Sequence, residues 1–515
     1  MKAKQESLFA ALRSAFPQDL DLTAIEAPDG AGVSRYYTWR DLDRASAMIA
    51  NLLQSLDLPD GARVAVQTEK SVEALMLYLG VLRAGYVYLP LNTAYQAAEI
   101  EYFIGNAEPS VVVCTPRNHP WVSQIAFKAG TRNVFTLNDD RTGSLLDRAA
   151  QHSDVHTHAI KRSDDLASII YTSGTTGRSK GAMLSHGNLL SNAEVLRHYW
   201  QWQSGDVLIH ALPIFHVHGL FVAIHGAMLN GSKMIWFGKF DPKTVIARLN
   251  DATVFMGVPT LYVRMLTEAA LSPAAVKSIR LFISGSAPLL KETFDDWRQR
   301  TGHTILERYG MSETIMLTSN PYRREDGERI GGTVGYALPG VGVRVHNDEG
   351  RSLPAGDIGG IQVRGPNVFK GYWRMPEKTA EDFTADGWFK TGDVGKMDAE
   401  GRVTIVGRSK DLIISGGYNV YPAEIEGFMN EMPGVAESAV VGVPHPDFGE
   451  GVIAVVVAKP GVTLDGTAII GALKGRIANF KVPKHLFVVP DLPRNAMGKV
   501  QKNVLREQHK GLFQT

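Results

Sequence analysis

The sequence predicts an α/β protein with a large body and a smaller α+β unit at its C-terminal end. Short β-branched runs alternate with amphipathic stretches of helix length through most of the 515 residues, which is typical of parallel sheets covered by helices on both faces. From about Val341 the predicted strands shorten, and Gly, Pro and Asp turns follow one another closely. That change favours a small antiparallel or barrel-like unit within the body.

The elements of the body follow from hydrophobic periodicity. Short continuous apolar runs predict buried strands, and apolar residues that recur at helical spacing predict helices. The predicted strands cover residues 62–67, 110–114, 168–171, 207–212, 234–237, 253–256 and 281–284. The predicted helices cover 71–84, 244–249 and 259–266, the last with a proline in its first turn, where proline is favoured.

A domain boundary is expected after the strand at 403–406, where a polar, glycine-containing segment begins at Gly407. We therefore divide the chain into residues 1–407 and 408–515, the second of ordinary domain size. A cleft between two such domains is a favoured position for a ligand. In the second domain the pattern predicts helices at 422–429 and from about 501, and strands at 438–443, 452–458 and 486–489.

The charge balance limits the partners that the protein can attract. Lys and Arg total 54 and Asp and Glu 53, a net charge of +1, so no bulk positive field is available for nucleic acid or an anionic membrane. We expect small-molecule substrates and no membrane insertion, because the most apolar later run, 220–229, is interrupted by His225 and too short to span a bilayer. The start of the chain lacks a signal-peptide pattern, and Cys114 is the single cysteine. A cytoplasmic location is expected, and a disulfide framework is excluded.

A loop rich in glycine and hydroxyl groups follows the predicted strand at 168–171. Its glycines allow backbone amides to approach an anion closely, its hydroxyls add donors, and Arg178 and Lys180 add positive charge. The spacing differs from that of a Walker loop. On the residues alone, a flexible surface connection remains the alternative. The candidate phosphate-binding residues are Thr172, Ser173, Gly174, Thr175, Thr176, Gly177 and Lys180.

Several segments resemble, in order, the motifs of the adenylate-forming enzymes, which include acyl- and aryl-CoA synthetases, luciferases and the adenylation domains of peptide synthetases. Agreement of so many independent motifs in one order is not expected by chance. The resemblance implies a body of two α/β sheet subdomains and a small β-barrel-like subdomain, followed by a small mobile α+β domain. Besides the loop at 171–181, the matching segments are Pro213-Ile214-Phe215-His216, Tyr309-Gly310-Met311-Ser312-Glu313, Thr391-Gly392-Asp393, Gly407-Arg408-Ser409-Lys410-Asp411 and Pro493-Arg494-Asn495-Ala496-Met497-Gly498-Lys499.

The resemblance implies an AMP-forming ligase, in which a carboxylate attacks the α-phosphate of ATP and a thiol then displaces AMP. Lys499 would bridge the carboxylate and the α-phosphate, and His216 would separate the acid from the thiol channel. Glu313 and Thr176 would hold Mg²⁺, a hard cation that suits phosphate oxygens. The other implied ATP- and AMP-binding residues are Ser286, Ala287, Pro288, Glu307, Arg308, Tyr309, Gly310, Met311, Ser312, Asp393 and Arg408.

The thiol step needs a second set of groups at the same reaction centre, and in this family the C-terminal domain rotates to provide it. Lys410 matches the hinge position of the family. The thiol substrate would be coenzyme A, whose pantetheine arm would pass close to glycines, which permit near backbone approach. The implied CoA-binding residues are Ser415, Gly416, Gly417 and Tyr418.

The acid is predicted from the helix at 259–266. Arg264 lies away from the apolar stripe of Leu261 and Met265, and on the residues alone an ordinary surface arginine is an equal reading. This region also resembles the malonyl-CoA synthetases, which implies that Arg264 pairs with the distal carboxylate of malonate. We predict malonate as substrate, with methylmalonate as a second one. The other implied acid-binding residues are His216, Ser284 and Met311.

Two alternatives remain open at this point. Another CoA ligase of the family, for a medium-chain or aryl acid, would keep every feature except the role of Arg264. A non-catalytic module that binds adenine nucleotides would not need Lys499 and Glu313. A zinc site at His216 and His218 lacks an obvious third ligand. Lys499 is also expected to lie on an exposed loop, where a protein acetyltransferase would remove its charge and inactivate the enzyme.

Overall fold

The computed structural model describes residues 7–28, 33–172, 179–347, 349–416, 418–495 and 498–513. Most of the candidate site residues fall in these ranges. The exceptions lie outside the described residues: Ser173, Gly174, Thr175, Thr176, Gly177 and Arg178 of the predicted phosphate loop, and Gly417 of the predicted CoA segment.

Strands occur along the whole described chain. They are β1 (Thr23–Pro28), β2 (Ser34–Thr38), β3 (Arg63–Gln67), β4 (Val87–Pro90), β5 (Val111–Cys114), β6 (Asn133–Thr136), β7 (Leu166–Thr172), β8 (Lys180–Ser185), β9 (Val207–His210), β10 (Lys233–Trp236), β11 (Val254–Gly257), β12 (Leu281–Ser284), β13 (Leu306–Met311), β14 (Ile315–Ser319), β15 (Gly335–Ala337), β16 (Gly342–His346), β17 (Gly359–Arg364), β18 (Phe389–Met397), β19 (Arg402–Arg408), β20 (Ile413–Ser415), β21 (Tyr418–Val420), β22 (Val435–His445), β23 (Gly449–Ala458) and β24 (His485–Val489).

Helices lie between many of these strands. They are α1 (Leu8–Ser14), α2 (Trp39–Gln54), α3 (Val72–Ala84), α4 (Ala97–Ala107), α5 (His119–Lys128), α6 (Ser144–Ala149), α7 (His186–Tyr199), α8 (His225–Leu229), α9 (Pro242–Arg248), α10 (Pro259–Leu266), α11 (Lys291–Thr301), α12 (Pro376–Asp382), α13 (Pro422–Asn430), α14 (Gly466–Lys474) and α15 (Lys502–His509). A π-helical segment, His218–Ile224, leads into α8. None of the helices in the described ranges has the length and hydropathy needed to cross a bilayer.

Two sheets form the body. Within the described residues, one sheet has six strands in the order β6-β5-β3-β4-β7-β8, and only its last pair is antiparallel. The other has thirteen strands in the order β16-β17-β18-β19-β15-β14-β13-β12-β11-β9-β10-β1-β2. The strands from β13 to β1 along this order are parallel, whereas those from β16 to β14 pair antiparallel with one another. The predicted α/β class, with a smaller antiparallel unit, is confirmed.

The C-terminal unit has its own sheet, in the order β21-β20-β23-β22, with β24 beside β23. Successive side chains of the long hairpin β22–β23 point to opposite faces of the sheet and pack into two small hydrophobic cores, as the two-residue period of a strand requires. Val440 and Val452 pack with α13 and α14 on one face. Val441 and Ile453 pack with Leu505 of α15 on the other. This α+β unit therefore has a hydrophobic core of its own.

The predicted elements agree closely with the structure. The helix predicted at 259–266 is α10 with the same bounds, because Pro259 fixes its first turn. The predicted boundary between 407 and 408 falls at the last residue of β19, and the division into 1–407 and 408–515 stays a prediction. Cys114 is buried at the end of β5, as an apolar strand residue.

Candidate active site

A buried cluster of polar side chains lies where β13 meets the hairpin of β18 and β19. Asp393 on β18 is directly opposite Arg408 on β19, and Arg408 Nε lies 3.0 Å from Asp393 Oδ1. The Tyr309 hydroxyl donates a hydrogen bond to the other carboxylate oxygen. We call Tyr309, Asp393 and Arg408 the Asp393 cluster. Each charge in the cluster has a partner, as burial requires.

The protonation states of the Asp393 cluster suit the binding of hydroxyl groups. The charge of Asp393 raises the pKa of Arg408, while burial and Asp393 raise the pKa of Tyr309. At neutral pH Arg408 is therefore a guanidinium and Tyr309 a neutral phenol, and both contact the Asp393 side chain. A carboxylate has about four lone-pair positions, so two contacts leave Asp393 free to accept hydrogen bonds from a ligand.

A second buried carboxylate, Glu313, lies in the turn between β13 and β14. It is 5% exposed and accepts a hydrogen bond of 3.1 Å from the Tyr372 hydroxyl. Burial raises the pKa of Glu313, and the charges of Lys180 and Arg408 oppose that rise. Lys180 Nζ lies 4.2 Å from the centre of the Tyr372 ring and 3.5 Å from Asp382 Oδ2. The predicted metal and phosphate residues Glu313 and Lys180 thus share one neighbour.

Lys499 is carried on a tight hairpin of the C-terminal unit. The Asn495 N–H donates to the Lys499 carbonyl over 2.9 Å, and the Lys499 N–H donates to Asn495 Oδ1 over 3.0 Å. Arg494 donates to the Gly498 carbonyl over 2.7 Å and forms an ion pair with Glu437. These contacts fix the backbone on both sides of Lys499.

The hairpin rests on the start of α10 in the body. Gly498 has a φ of +73°, and a Cβ at this position would lie 2.8 Å from Thr260 Oγ1, so a side chain would not fit without displacement. Lys499 is half-buried. Burial and the positive charge of Arg408 lower the pKa of Lys499 to about 8, and Asp393 opposes this effect. The predicted exposure of Lys499 is therefore wrong, because the hairpin packs on the body beside the Asp393 cluster.

Arg308 forms a second buried site, one residue before Tyr309 on β13. It is 2% exposed, and its guanidinium lies against Gly285, where a Cβ would be 2.4 Å from Arg308 Cζ. Arg308 Nε and Nη2 have no hydrogen-bond partner among the described residues. Its charge also influences the pKa values of His216, His218 and Tyr262. We call these five residues the Arg308 group.

The other members of the Arg308 group supply no negative charge. Burial lowers the pKa of His216 to about 4, and Arg308 adds to the effect. Burial shifts the pKa of His218 in the same direction. His218 Nδ1 lies 3.2 Å from Ser286 Oγ, and the Tyr262 hydroxyl donates to the Ile283 carbonyl over 2.6 Å. At neutral pH both imidazoles are uncharged, so the guanidinium is the single charge of the group.

Several of the residues predicted to bind ATP and AMP lie after β12 and on β13. Ser286 has a φ of +72°, a left-handed conformation that is costly for serine and often marks a functional site. Ala287 and Pro288 follow it toward the surface. Glu307 accepts a hydrogen bond of 3.0 Å from the Leu289 N–H, and burial raises the pKa of Glu307 to about 8. Glu307 is thus held as a neutral acid near pH 7.

The predicted acid-binding residues lie in two different environments. Ser284 is fully buried at the end of β12, and its hydroxyl oxygen has no hydrogen-bond partner among the described residues. Met311, with Gly310 before it and Ser312 after it, is half-buried at the end of β13. Arg264 is exposed on α10, with its guanidinium 5.0 Å from the centre of the Phe240 ring. The sequence pattern did not distinguish these environments.

The predicted hinge and CoA residues lie at the start of the C-terminal unit. Lys410 is exposed in a short 3₁₀ turn, Ser409–Asp411. Ser415 is buried, Gly416 has a φ of +58°, and Tyr418 is exposed. The left-handed conformation of Gly416 is one that glycine adopts without strain.

Sequence reasoning missed two neighbours of the site and one contact between the two units. Tyr372 donates to Glu313, and Asp382 faces Lys180. Lys459, just after β23, forms an ion pair with Glu292 on α11 and so joins the C-terminal unit to the body. The aromatic residues in the run Gly371-Tyr372-Trp373 are the feature of the sequence that could have indicated Tyr372. Lys459 and Glu292 are 167 positions apart, and no local pattern connects them.

Comparison with known proteins places the chain in a family. A sequence model described as AMP-binding enzyme matches residues 13–373, and one described as AMP-binding enzyme C-terminal domain matches residues 424–499. The first match alone covers more than half of the chain. The chain belongs to the AMP-binding enzyme family. Lys499 is the last residue of the second match, so both family regions contribute residues to the site described above.

Relatives and solved structures extend the comparison. A malonate–CoA ligase from Arabidopsis thaliana is 38% identical over 483 residues, which cover 87% of this chain and 78% of the relative. The crystal structure of ATP-bound MatB from Rhodopseudomonas palustris is 54% identical, with a TM-score of 0.95 and coverage of 99% of this chain and 100% of that chain. Apo MatB from the same organism, at the same identity and coverage, gives a TM-score of 0.84. The arrangement of this AMP-binding enzyme is therefore closer to the ATP-bound form.

Proposed function

We propose that this AMP-binding enzyme is a malonate–CoA ligase that converts malonate, ATP and CoA into malonyl-CoA, AMP and pyrophosphate. The observation that carries the proposal is the position of Lys499, whose backbone is hydrogen-bonded to Asn495 and whose side chain lies within the electrostatic influence of the Asp393 cluster. A placed cation beside a site for hydroxyl groups is what the attack of a carboxylate on bound ATP requires. The relative described as a malonate–CoA ligase supports the choice of acid.

In the first step, the acid carboxylate forms a bond to the α-phosphorus and pyrophosphate leaves. The Asp393 carboxylate, held by Tyr309 and Arg408, would accept hydrogen bonds from the ribose hydroxyls and so fix the nucleotide. Lys499 would then lie between the carboxylate and the α-phosphate, where its charge stabilises the negative charge that develops in the transition state. The hydrogen bonds between Asn495 and the Lys499 backbone position this residue for that role.

The residues present fit a magnesium ion that is shared with the phosphates. Glu313 offers one buried carboxylate, and the described residues contain no group of three or more His, Cys, Asp or Glu that would form a complete protein cage. Mg²⁺ is usually held by one or two carboxylates together with phosphate oxygens and water. We propose that Glu313 holds it together with Thr176, and Lys180 would bind the phosphates beside it. The ion would neutralise phosphate charge.

For the second step, we propose that residues 408–515 turn about Lys410 and withdraw Lys499. The CoA thiol would attack the acyl carbon and AMP would leave. The contact of Gly498 with Thr260 and the ion pair of Lys459 with Glu292 hold the present arrangement, and both must open. The residues that would then approach the pantetheine arm are Ser415, Gly416, Gly417 and Tyr418.

Arg264 is the proposed partner of the distal carboxylate of malonate. A charged hydrogen bond contributes roughly 1.5–3 kcal/mol, which corresponds to a preference of about tenfold or more. Arg264→Ala should therefore lower the ratio of kcat/KM for malonate to kcat/KM for butyrate by about tenfold or more. Arg298→Ala, at an exposed position on α11, is the matched control. An unchanged ratio in Arg264→Ala would contradict this role.

The proposed activity is tested by measuring pyrophosphate release and thioester formation with a panel of acids. Malonate or methylmalonate should give the highest kcat/KM, with thioester formation dependent on CoA. A higher value for a medium-chain or aryl acid would make the protein another CoA ligase of the family. Binding of ATP without turnover of any acid would make it a non-catalytic nucleotide-binding module.

The proposal also includes control by acetylation of Lys499. Because Lys499 is half-buried beside the body, an acetyltransferase would act after the C-terminal domain has turned. Loss of the charge would block the first step. Mass spectrometry of the native protein, combined with assays of both half-reactions, tests this. A cytoplasmic location is part of the same proposal and is tested by cell fractionation.

A further inference from the structure

Asp382 is an acidic residue at a position that its own helix disfavours. It is the last residue of α12, and the carbonyl groups at a helix C-terminus repel a negative charge. Two lysines hold its side chain there. Lys378 Nζ, one turn earlier on α12, lies 2.8 Å from Asp382 Oδ1, and Lys180 Nζ lies 3.5 Å from Asp382 Oδ2. Each oxygen of Asp382 therefore faces a different cation.

The two lysines that contact Asp382 lie in different surroundings. The Lys378 side chain is 39% exposed, whereas the Lys180 side chain is 20% exposed. Lys180 is the first residue of β8, directly after the predicted phosphate loop, and its ammonium lies 4.2 Å from the centre of the Tyr372 ring. A cation over an aromatic face is attracted by the ring. Tyr372 and Asp382 thus both stabilise the Lys180 ammonium at this position.

The Tyr372 side chain connects Lys180 with Glu313. Tyr372 is 3% exposed, and its hydroxyl donates a hydrogen bond of 3.1 Å to Glu313 Oε1. Burial and the charges of Glu313 and Asp382 raise the pKa of Tyr372, so the hydroxyl keeps its proton and remains a donor. One side chain therefore contacts the proposed phosphate-binding cation through its ring and the proposed metal-binding carboxylate through its hydroxyl.

Backbone hydrogen bonds fix the segments that carry these side chains. The Trp373 N–H donates to the Gly181 carbonyl over 2.8 Å, which pairs the segment of Tyr372 with the start of β8. The Tyr372 N–H donates to Thr379 Oγ1 on α12 over 2.9 Å. The strand of Lys180, the segment of Tyr372 and the helix of Asp382 are therefore joined directly.

We propose that Asp382 and Tyr372 are positioning residues for the β- and γ-phosphates of ATP. The inference rests on the proposed function, in which Lys180 binds the phosphates and Glu313 holds the metal ion. Asp382 acts through Lys180, while Lys378 keeps the other carboxylate oxygen in place. Tyr372 acts on Lys180 through its ring and on Glu313 through its hydroxyl. Because AMP lacks the β- and γ-phosphates, both residues affect the binding of ATP and leave that of AMP unchanged.

The first test measures the affinities of the full chain for ATP and for AMP by calorimetry, without Mg²⁺. Lys180→Met should weaken ATP binding by about tenfold. Asp382→Asn should weaken it by about two- to fivefold, as expected for a partly exposed ion pair, and Asp382→Glu should restore part of the loss. AMP affinity should stay unchanged in every variant. Glu381→Gln, next to Asp382 on α12 and paired with Lys378, is the matched control.

The double variant shows whether Asp382 acts through Lys180. In the Lys180→Met background, Asp382→Asn should cause no further loss of ATP affinity, because the effects of residues that act through one contact do not add. A further loss equal to that in the wild-type background overturns the proposal. Tighter ATP binding by Asp382→Asn also overturns it, because Asp382 would then compete with the phosphates for Lys180.

Tyr372→Phe separates the function of the ring from that of the hydroxyl. The ring remains beside Lys180, so ATP affinity without Mg²⁺ should stay close to that of the wild type. Loss of the donor to Glu313 should weaken the binding of Mg²⁺-ATP, and raise its KM in pyrophosphate release, by about two- to tenfold. Conversion of supplied malonyl-adenylate to malonyl-CoA should be unchanged. An equal loss of ATP affinity with and without Mg²⁺, or a loss of AMP affinity, contradicts this role.

Failure of the inference and failure of the proposed function give different results. If Lys180→Met weakens ATP binding and Asp382→Asn does not, Asp382 is not a positioning residue and the proposed function stands. If Lys180→Met leaves ATP affinity unchanged, Lys180 does not bind the phosphates. That part of the proposed function is then wrong, and the inference about Asp382 is wrong with it.

Discussion

The two buried polar sites along β13 satisfy their charges in different ways. In the Asp393 cluster the carboxylate is held by Tyr309 and Arg408, so the protein itself completes the site. In the Arg308 group the guanidinium has unpartnered nitrogens and lies among neutral side chains. In the first site the protein pairs the charges itself, whereas in the second the positive charge has no partner among the described residues. Adjacent residues of one strand thus lie in opposite electrostatic environments.

The largest effect should come from removal of the Lys499 charge, which the C-terminal unit places beside the Asp393 cluster. Lys499→Ala should reduce adenylate formation by about 10²–10³-fold, since loss of a placed charge in the transition state costs that much. Conversion of supplied malonyl-adenylate to malonyl-CoA should largely survive. Lys510→Ala, at an exposed position directly after α15, is the control. Equal loss of both half-reactions would contradict the division of roles.

The sign of the stability change should distinguish the two sites. Asp393→Asn leaves Arg408 without its partner, and breaking a buried ion pair is strongly destabilising. Because Arg408 is partly exposed (29% of its side chain), we expect a loss of about 2–3 kcal/mol in the free energy of unfolding. Arg308→Gln should cause no loss, because it removes an unpaired charge. Denaturant unfolding of both variants measures this, and equal losses would remove the distinction between the sites.

The pH dependence of the first step should report Lys499. Burial and Arg408 lower the pKa of Lys499 to about 8, so the charged form is lost as pH rises through that value. The kcat/KM for adenylate formation should then fall about tenfold per pH unit above it. The thioester step from supplied adenylate should lack this descending limb. If both steps lost activity at the same pH, the descending limb would belong to a group other than Lys499.

The smallest effect should come from the contact that joins the two units away from the site. Lys459→Glu places like charge beside Glu292, and a surface ion pair is worth about 0.2–1 kcal/mol. Adenylate formation should fall by about two- to fivefold, with less effect at high salt. The double variant Lys459→Glu with Glu292→Lys should restore the rate, and Lys474→Glu, at an exposed position, is the control. Failure of the double variant to recover would show that the charge pair is not the cause.

Local features of the sequence predicted most of the fold. The bounds of α10 follow from Pro259, and the burial of Cys114 follows from its apolar strand. The C-terminal hairpin β22–β23 was predicted shorter than it is. Its outer residues, such as His445 and Gly449, are kept in the strands by cross-strand pairing, which a single-strand pattern does not contain.

The candidate site was predicted less completely, because several of its contacts are long-range. Asp393 and Arg408 were named from motifs, but their pairing depends on the register of β18 with β19. The resemblance to the family placed Arg308 among the residues that bind ATP and AMP. Its true surroundings depend on which face of β13 it occupies and on the space above Gly285. Neither can be inferred from the order of residues alone.

The contact between Gly285 and Arg308 also links the residue types that the two positions accept. A Cβ on Gly285 would lie 2.4 Å from Arg308 Cζ, so a side chain there requires the guanidinium to move, whereas a shorter residue at 308 leaves more space above Gly285. Glycine at 285 and arginine at 308 should therefore occur together in related sequences, and a larger residue at 285 should accompany a shorter one at 308.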